Sequence, residues 1–524
     1  MRSFYKLLFI AVLPLMILAG CSKSFLNRPP LAQITVDNFY KSTSDLRLAT
    51  AALYGGSPWF NWQNFPILGI GDVLSGNILQ PYNTGLVQLT SFSITGDNTY
   101  ISQTWQGMYI VIAQANTVIK AINTQASDSI PAASRNAALA ECRFIRGTAY
   151  FFLAQLWGAV PIIEDNTKLI DSPLLKRNLA TDVYQFAIND LTWAVQNLPI
   201  TDAPGRVTTW SAQGMLAKVY LTRAGLGQSG TRSQSDLDSA IKYAGNVCTN
   251  SGLSLWSSYY NLFRSQFNDV SEDLFALQWS PGVAYGFGNS LQAQFAPTSQ
   301  IVPGAGWGGA IGPTLDLYNL YTTQDSIRRK ATFMLRGDYY PELDAADGGF
   351  TETSDANIKK HIIGTPADNN APTMTIWSSN EHTAVLRLAD VYLVYAEAIL
   401  GNNTTTADPT ALQYFNLVRT RAGVDPVTSI SDTSLARERR IELAFEAQYW
   451  FDLVRLSYYN PQGAVNLLNN QLREQFTYSN GVATGTPSGI VMTPATIGTF
   501  TLPVPTAEIT ADPGLADPPV HYNQ

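Results

Sequence analysis

The stretch TAVLRLADVYLVYAEAIL (383–400), followed by YFNLVRTRAGV (414–424) and RERRIELAFEAQYWFDLVRL (437–456), decides how this chain is read. All three segments carry apolar residues at helical spacing. In the first, Leu388, Tyr392, Tyr395 and Ile399 recur on one helix face, with Arg387, Asp390 and Glu397 on another side. The second ends at Gly423, which can take the left-handed conformation that closes a helix. The third has Thr433 and Ser434 in front as N-caps, and Leu443, Ala447, Trp450 and Val454 as its apolar stripe. Arg439, Glu442 and Glu446 share another face and are spaced to pair locally along one helix.

Working outward, further helical patterns precede this core at 36–54, 105–119, 136–157, 182–199, 210–224 and 237–247. Ala187, Asp190, Leu191, Ala194 and Pro199 have a spacing similar to the second helix of a tetratricopeptide repeat. Short-linked helices of this kind stack as antiparallel pairs. Two regions break the pattern. Residues 55–77 (GGSPWFNWQNFPILGIGDVLSGN) combine glycine, proline and bulky aromatics, and read as a loop that can expose rings. From 251 to 380 helical runs shorten and Gly, Pro, Ser and aromatics accumulate, with FALQWS (275–280) alternating like a strand.

Composition bounds the function. The 524 residues are 45% hydrophobic and 14% charged, enough for a sizeable core and too apolar for a disordered chain. The net charge is −7, and −9 without the first twenty residues, whose only charges are Arg2 and Lys6. That argues against a nucleic-acid partner, which needs a basic face. Residues 1–20 read as a signal peptide, with an apolar run (7–19) too short to span a bilayer comfortably. It ends Leu18-Ala19-Gly20-Cys21, a bacterial lipobox, so Cys21 is expected to be lipidated and residues 21–35 to form a tether. Cys142 and Cys248 sit among apolar residues and read as buried free thiols, with a disulfide between them as the alternative in an oxidising compartment.

RLADVYLVYAEA (387–398), LVRTRAG (417–423), RERRIELAFEAQYWFDLVR (437–455) and FTLPVPTAEI (500–509), in this order, resemble the C-terminal half of the SusD/RagB family, nutrient-binding outer-membrane lipoproteins. ECRFIRGTAYFFLAQLWGAVPII (141–163) is similar to that family's N-terminal signature, and IKKHIIG (358–364) to another of its motifs, where His361 stands at a position usually aromatic. The resemblance implies a mainly α fold, a SusD-like superhelix of tetratricopeptide-like helix pairs supporting a loop-rich lobe with minor β structure. It divides the chain into an N-terminal helical region (36–250) and a C-terminal region (251–524), the latter made of loops (251–380), helices (383–457) and an irregular tail (458–524). It further implies cell-surface capture of a nutrient and delivery to a SusC-like TonB-dependent transporter. An oligosaccharide is the expected cargo, with a peptide as the alternative on the same architecture. A secreted glycan-cleaving enzyme and a purely structural assembly protein are the readings from other classes.

No cofactor, metal site or catalytic set is expected. The sequence has three histidines and lacks HExxH, P-loop, nucleophile-elbow and zinc spacings. Gly304, Gly306 and Gly309 satisfy GxGxxG formally, but Gly312-Pro313 follows where a helix should open. Glu438, Glu442 and Glu446, flanked by arginines, read as ion-pair partners rather than as the opposed carboxyls of a glycosidase. A sugar site needs flat rings with fixed polar groups beside them. The candidates are Trp59, Trp62, Asp72, Asn77 and Tyr82 in the first loop region, and Tyr285, Phe287, Asn289 and Trp307 in the second.

Overall fold

A computed structural model describes residues 39–282, 286–304, 306–308 and 310–522. The signal peptide, the whole tether with Cys21, and Tyr285 lie outside the described residues. About half of the chain is helical, and every sheet among the described residues has two strands.

The helices that position the site are α1 Thr43–Ala51, α2 Ser57–Gln63, α3 Thr99–Gln125, α4 Ala132–Trp157, α5 Ala180–Asn197, α6 Thr209–Arg223, α7 Gln234–Asn250, α8 Leu291–Phe295, α9 Leu388–Leu400, α10 Pro409–Arg421, α11 Asp432–Glu442 and α12 Tyr449–Tyr459. From α3 to α7 each helix packs on the next, and α7 packs on α9, which packs on α10. The helical stack is therefore continuous in space although residues 251–387 leave it and return. Strands β2 (Asp273–Leu277) and β4 (Thr383–Arg387) pair antiparallel at the root of that excursion, and β1 (Ile78–Leu79) pairs with β3 (Gly312–Pro313) across it.

The centre of the stack is α4. From Phe144 to Trp157 every residue is buried, as expected of a helix that is apolar on all sides. Its one deeply buried cation, Arg146, grips Asp190 of α5 with two bonds (2.7 and 2.8 Å) and Asn116 of α3 with a third (2.7 Å), a geometry that fixes three helices at once. Cys142 is buried and Cys248 half-buried, both as free thiols.

The deciding stretch departs from its sequence reading at four places. Residues 383–387 form β4, not the first turn of a helix, because they complete the ladder with β2. The cap of α11 is Ser431, with Ser434 closing a capping box, rather than Thr433 or Ser434. The long helix expected over 437–456 is broken between α11 and α12, where Phe445 and Ala447 take positive φ values of 61° and 57°. Left-handed backbone at two non-glycine residues costs of order 1 kcal/mol each and persists only where the surroundings compel it. Here the compulsion is visible: the Ala447 N–H donates to Asp72 (3.1 Å), and Glu446 between them is drawn into a buried ion cluster. Finally, Arg439, Glu442 and Glu446 do not pair with one another. Arg439 binds Asp452 and Asp390, Glu442 meets Arg421 and Arg387, and Glu446 receives both Arg387 (2.7 and 2.7 Å) and Lys360 (2.8 Å). Gly423, as expected, closes α10 with φ +76°.

Candidate ligand-binding surface

The two aromatic-rich regions are brought together, but by a different set of rings from the one the sequence suggests. Residues 55–77 do not form an open loop. Pro58 in the first turn sets up α2, which packs on α3 and buries both of its tryptophans. Trp59 is 0% exposed and donates its indole N–H to the Leu53 carbonyl at 2.8 Å, and buried Trp62 packs on Phe152 with ring centroids 5.7 Å apart. In this arrangement neither ring can stack on a ligand. Replacing Trp59 with alanine is expected to cost about 3–5 kcal/mol of stability and to leave ligand affinity unchanged at a temperature where the variant is folded; paired melting and binding measurements check this.

The polar candidates are scaffold as well. Asp72 is buried, accepting from Asn77 Nδ2 and from the Ala447 N–H, both at 3.1 Å, and burial pushes its pKa up to about 6. Asn77 in turn accepts from Arg440 Nε at 2.9 Å. Asn289 spends its whole amide on framework. It accepts from Gln63 (3.1 Å) and the Leu291 N–H (2.9 Å), and donates to the Glu381 carbonyl (2.9 Å), while its backbone exchanges two bonds with Ser379. These groups are saturated by the protein, so they hold the surface in place rather than face a ligand.

What reaches solvent is a run of rings. Trp307 is 45% exposed. Trp377 stands against it nearly at right angles, with centroids 4.7 Å apart and 72° between planes, and Phe65 lies on its other side at 6.4 Å and 34°. Phe65 continues to Tyr100 at 6.0 Å. Tyr82, 78% exposed, sits in a turn that Gln80 holds by accepting the N–H groups of Tyr82 and Asn83, beside Gly85, which lies against Tyr100. Phe287, 38% exposed, flanks the other end, next to Gly288, which abuts Ser378 beside Trp377.

Each ring is presented by a constrained backbone. Phe65 precedes Pro66 and takes φ +68°, outside the regions a bulky residue prefers. Trp377 lies at the tip of a tight turn closed by paired bonds between Thr375 and Ser378, both 3.1 Å. Trp307 is latched to α8, its N–H donating to the Ala293 carbonyl (3.1 Å) and that of Gly308 to the Ala296 carbonyl (2.9 Å). The glycines on either side of Trp307 are there for close approach. A Cβ on Gly306 would fall 1.9 Å from the Ala296 carbonyl oxygen, and one on Gly308 2.5 Å from that of Phe295.

Of the sequence candidates, Tyr82, Phe287 and Trp307 therefore reach the surface, while Trp59, Trp62, Asp72, Asn77 and Asn289 are interior. Phe65 and Trp377 were not among the candidates. Phe65 could have been found from Asn64-Phe65-Pro66, since a residue before proline is pushed out of helix. Trp377, in TIWSSN, carries no comparable signal. Phe65, Trp307 and Trp377 meet as an aromatic platform, partly exposed, with ring faces of the kind that stack on flat apolar groups.

Comparison with known proteins gives a consistent picture. A sequence family described as the SusD family matches residues 340–521, and one described as "starch-binding associating with outer membrane" matches residues 72–221. A SusD-like protein of Bacteroides ovatus is 40% identical over 476 residues, covering 90% of this chain and 86% of its own. A crystal structure determined with xylogluco-oligosaccharide is 37% identical, with a TM-score of 0.85 over 91% of this chain and 99% of that one. A laminarin-binding SusD-like protein, 23% identical, shares the fold with a TM-score of 0.67 over 90% of this chain and 98% of its own.

Proposed function

The chain belongs to the SusD family, and from that membership and the exposed rings we propose that it binds an oligosaccharide on the platform formed by Phe65, Trp307 and Trp377, with Tyr82 and Phe287 at its margins. The observation that carries this reading is the meeting of Phe65, Trp307 and Trp377, from three distant parts of the sequence, as one surface above a rigid framework. Pyranose rings offer flat C–H faces that stack on indole and phenyl planes, and such contacts need no charged partner. The ligand class favoured is a xyloglucan-type oligosaccharide, because a 37% identical structure that overlays nearly the whole chain was determined with one. Binding without chemistry agrees with the ion pairing of Glu438 and Glu442. Glu438 and Glu442 are tied to Arg328, Arg419, Arg421 and Arg387, so neither is placed as a glycosidase acid.

Delivery to a TonB-dependent transporter and anchoring through acylated Cys21 complete the proposal. The family description of outer-membrane association supports the anchor, and among the described residues no helix is long and apolar enough to cross a membrane. Calorimetry on residues 22–524 with xylogluco-, laminari- and malto-oligosaccharides tests the binding claim. Saturable binding of the xyloglucan series is the expected result. Binding of peptides alone, with none of the glycans taken up, would overturn it.

A further inference from the structure

Beneath the platform lies a small cavity of about 30 Å³, room for one or two water molecules. Its walls come from all three ring-bearing segments: Ile67, Leu68 and Asp72 follow Phe65, Leu291 and Phe295 belong to the helix that latches the Trp307 loop, and Glu381 to Ala384 follow Trp377. One side chain touches the base of each. The His361 ring stacks on Phe295 (centroids 5.7 Å, 28°), whose carbonyl lies against Gly308. Its Nδ1 lies 3.0 Å from Glu381 Oε1, four residues beyond Trp377. Its Nε2 lies 2.8 Å from the Phe445 carbonyl, in the turn whose Ala447 N–H is bonded to Asp72 on the Phe65 segment.

We propose that His361 is a positioning residue for the ligand platform, a buried imidazolium that ties the Trp377, Trp307 and Phe65 segments into one register. The ligand consequence rests on the platform being the sugar site, whereas the positioning itself does not. The protonation state follows from the geometry: one ring nitrogen faces a carbonyl oxygen and the other a carboxylate oxygen, and only the doubly protonated ring donates to both. The other charged groups around it are arranged to permit this. Lys360, next in sequence, is neutralised by Glu446; Arg387 is held by Glu446, Glu272 and Glu442; and Asp72 lines the same cavity, its carboxyl within the field of His361. His382, next in sequence to Glu381, faces Asp269 and Asp273. Glu381 Oε2 is buried and has no hydrogen-bond partner among the described residues, so the carboxylate's contact is with His361 through Oε1, and Lys359 and His382 also lie in its field. Burial alone would lower the His361 pKa, but the Glu381 carboxylate and the Phe445 carbonyl outweigh it and hold it above its ordinary value. The tie is thus present below that raised value and is released as the pH rises through it.

The test is 19F NMR of the 22–524 chain labelled with 5-fluorotryptophan, with Trp307 and Trp377 assigned by their Phe variants. Both resonances are expected to shift together as the pH rises above the ordinary histidine range, about 6.5. In His361→Phe, which keeps the ring stack on Phe295 but not the proton, that shift should vanish. In Glu381→Gln its midpoint should fall, because the neutral amide no longer stabilises the imidazolium. Resonances that ignore pH, or that titrate alike in His361→Phe, or a midpoint unmoved in Glu381→Gln, would each overturn the proposal. Because no sugar is present, the outcome is independent of whether the platform binds glycans. A platform that titrates through His361 yet binds no oligosaccharide would sink the functional reading and leave this one standing.

Discussion

Replacing Glu446 with alanine should destabilise the protein by about 3–5 kcal/mol, the loss seen when one member of a buried ion pair is removed and its partners stay behind uncompensated. Glu446 accepts a bidentate pair of bonds from Arg387 and a third from Lys360, and all three side chains are at most 5% exposed. Lys360 has other bonds to Tyr259 and the Glu442 carbonyl, but Glu446 is the acid in contact with it. Without Glu446, that ammonium is buried with no counter-ion, and the 443–448 turn loses the reason for its left-handed backbone. Glu446→Gln should cost less than alanine, since it keeps the shape and one acceptor oxygen, although its NH2 then faces one of the donors that the carboxylate accepted from. The pH dependence has a definite sign. Burial alone would raise the Glu446 pKa, but Arg387 and Lys360 outweigh it and hold it down to about 2 from an ordinary glutamate value of 4.5. Its contribution is therefore complete above about 4.5 and is lost as pH falls toward 2, a difference worth about 3 kcal/mol. Melting curves across that window should show the wild type losing this increment and Glu446→Gln staying flatter. Equal acid sensitivity in the two would mean the cluster does not carry the stability assigned to it.

The second large effect concerns binding. Removing a central aromatic anchor costs about 2 kcal/mol or more in interfaces generally, roughly thirtyfold in affinity. Trp307→Ala should weaken oligosaccharide binding by at least about tenfold, or about 1.4 kcal/mol. Trp377→Ala should do similar damage. The double variant should fall short of the product of the two, because the rings touch at 4.7 Å and each helps to hold the other. Melting temperature should change little in any of them, since Trp307 is 45% exposed and lies outside the main core. Calorimetric titration and thermal melts on the same samples check both halves. A large drop in stability with unchanged affinity would place Trp307 in the framework instead of the site.

The helical half of this fold was legible because its signals are local. The apolar spacing in 136–157 and 182–199, and Gly423 at a helix end, specify structure through neighbours three and four residues away. The misreadings have distant causes. Nothing in ELAFEAQ forbids a helix; the break at Phe445 and Ala447 is imposed by Asp72, Arg387 and Lys360, which lie far away in sequence. Likewise TAVLR is compatible with strand or helix, and pairing with β2 decides it. At the site, glycine and proline around Trp59 and Trp62 suggested exposure, yet Pro58 starts a helix and the rings turn inward. Around Trp307 the same composition did mark an exposed ring, because there the glycines permit close backbone contact. Composition located the region, and only packing could sort presented rings from buried ones.

The central claim is that sugar lies on the Phe65–Trp307–Trp377 surface. A crystal structure of residues 22–524 with a xyloglucan oligosaccharide tests it most directly. The expected result is a pyranose ring stacked on the open side of Trp307, with Trp377 as a wall and the residues around Trp59 and Trp62 unmoved. Sugar bound elsewhere, for instance in the groove between Phe92, Leu468 and Met492, with Trp307 left bare, would contradict it.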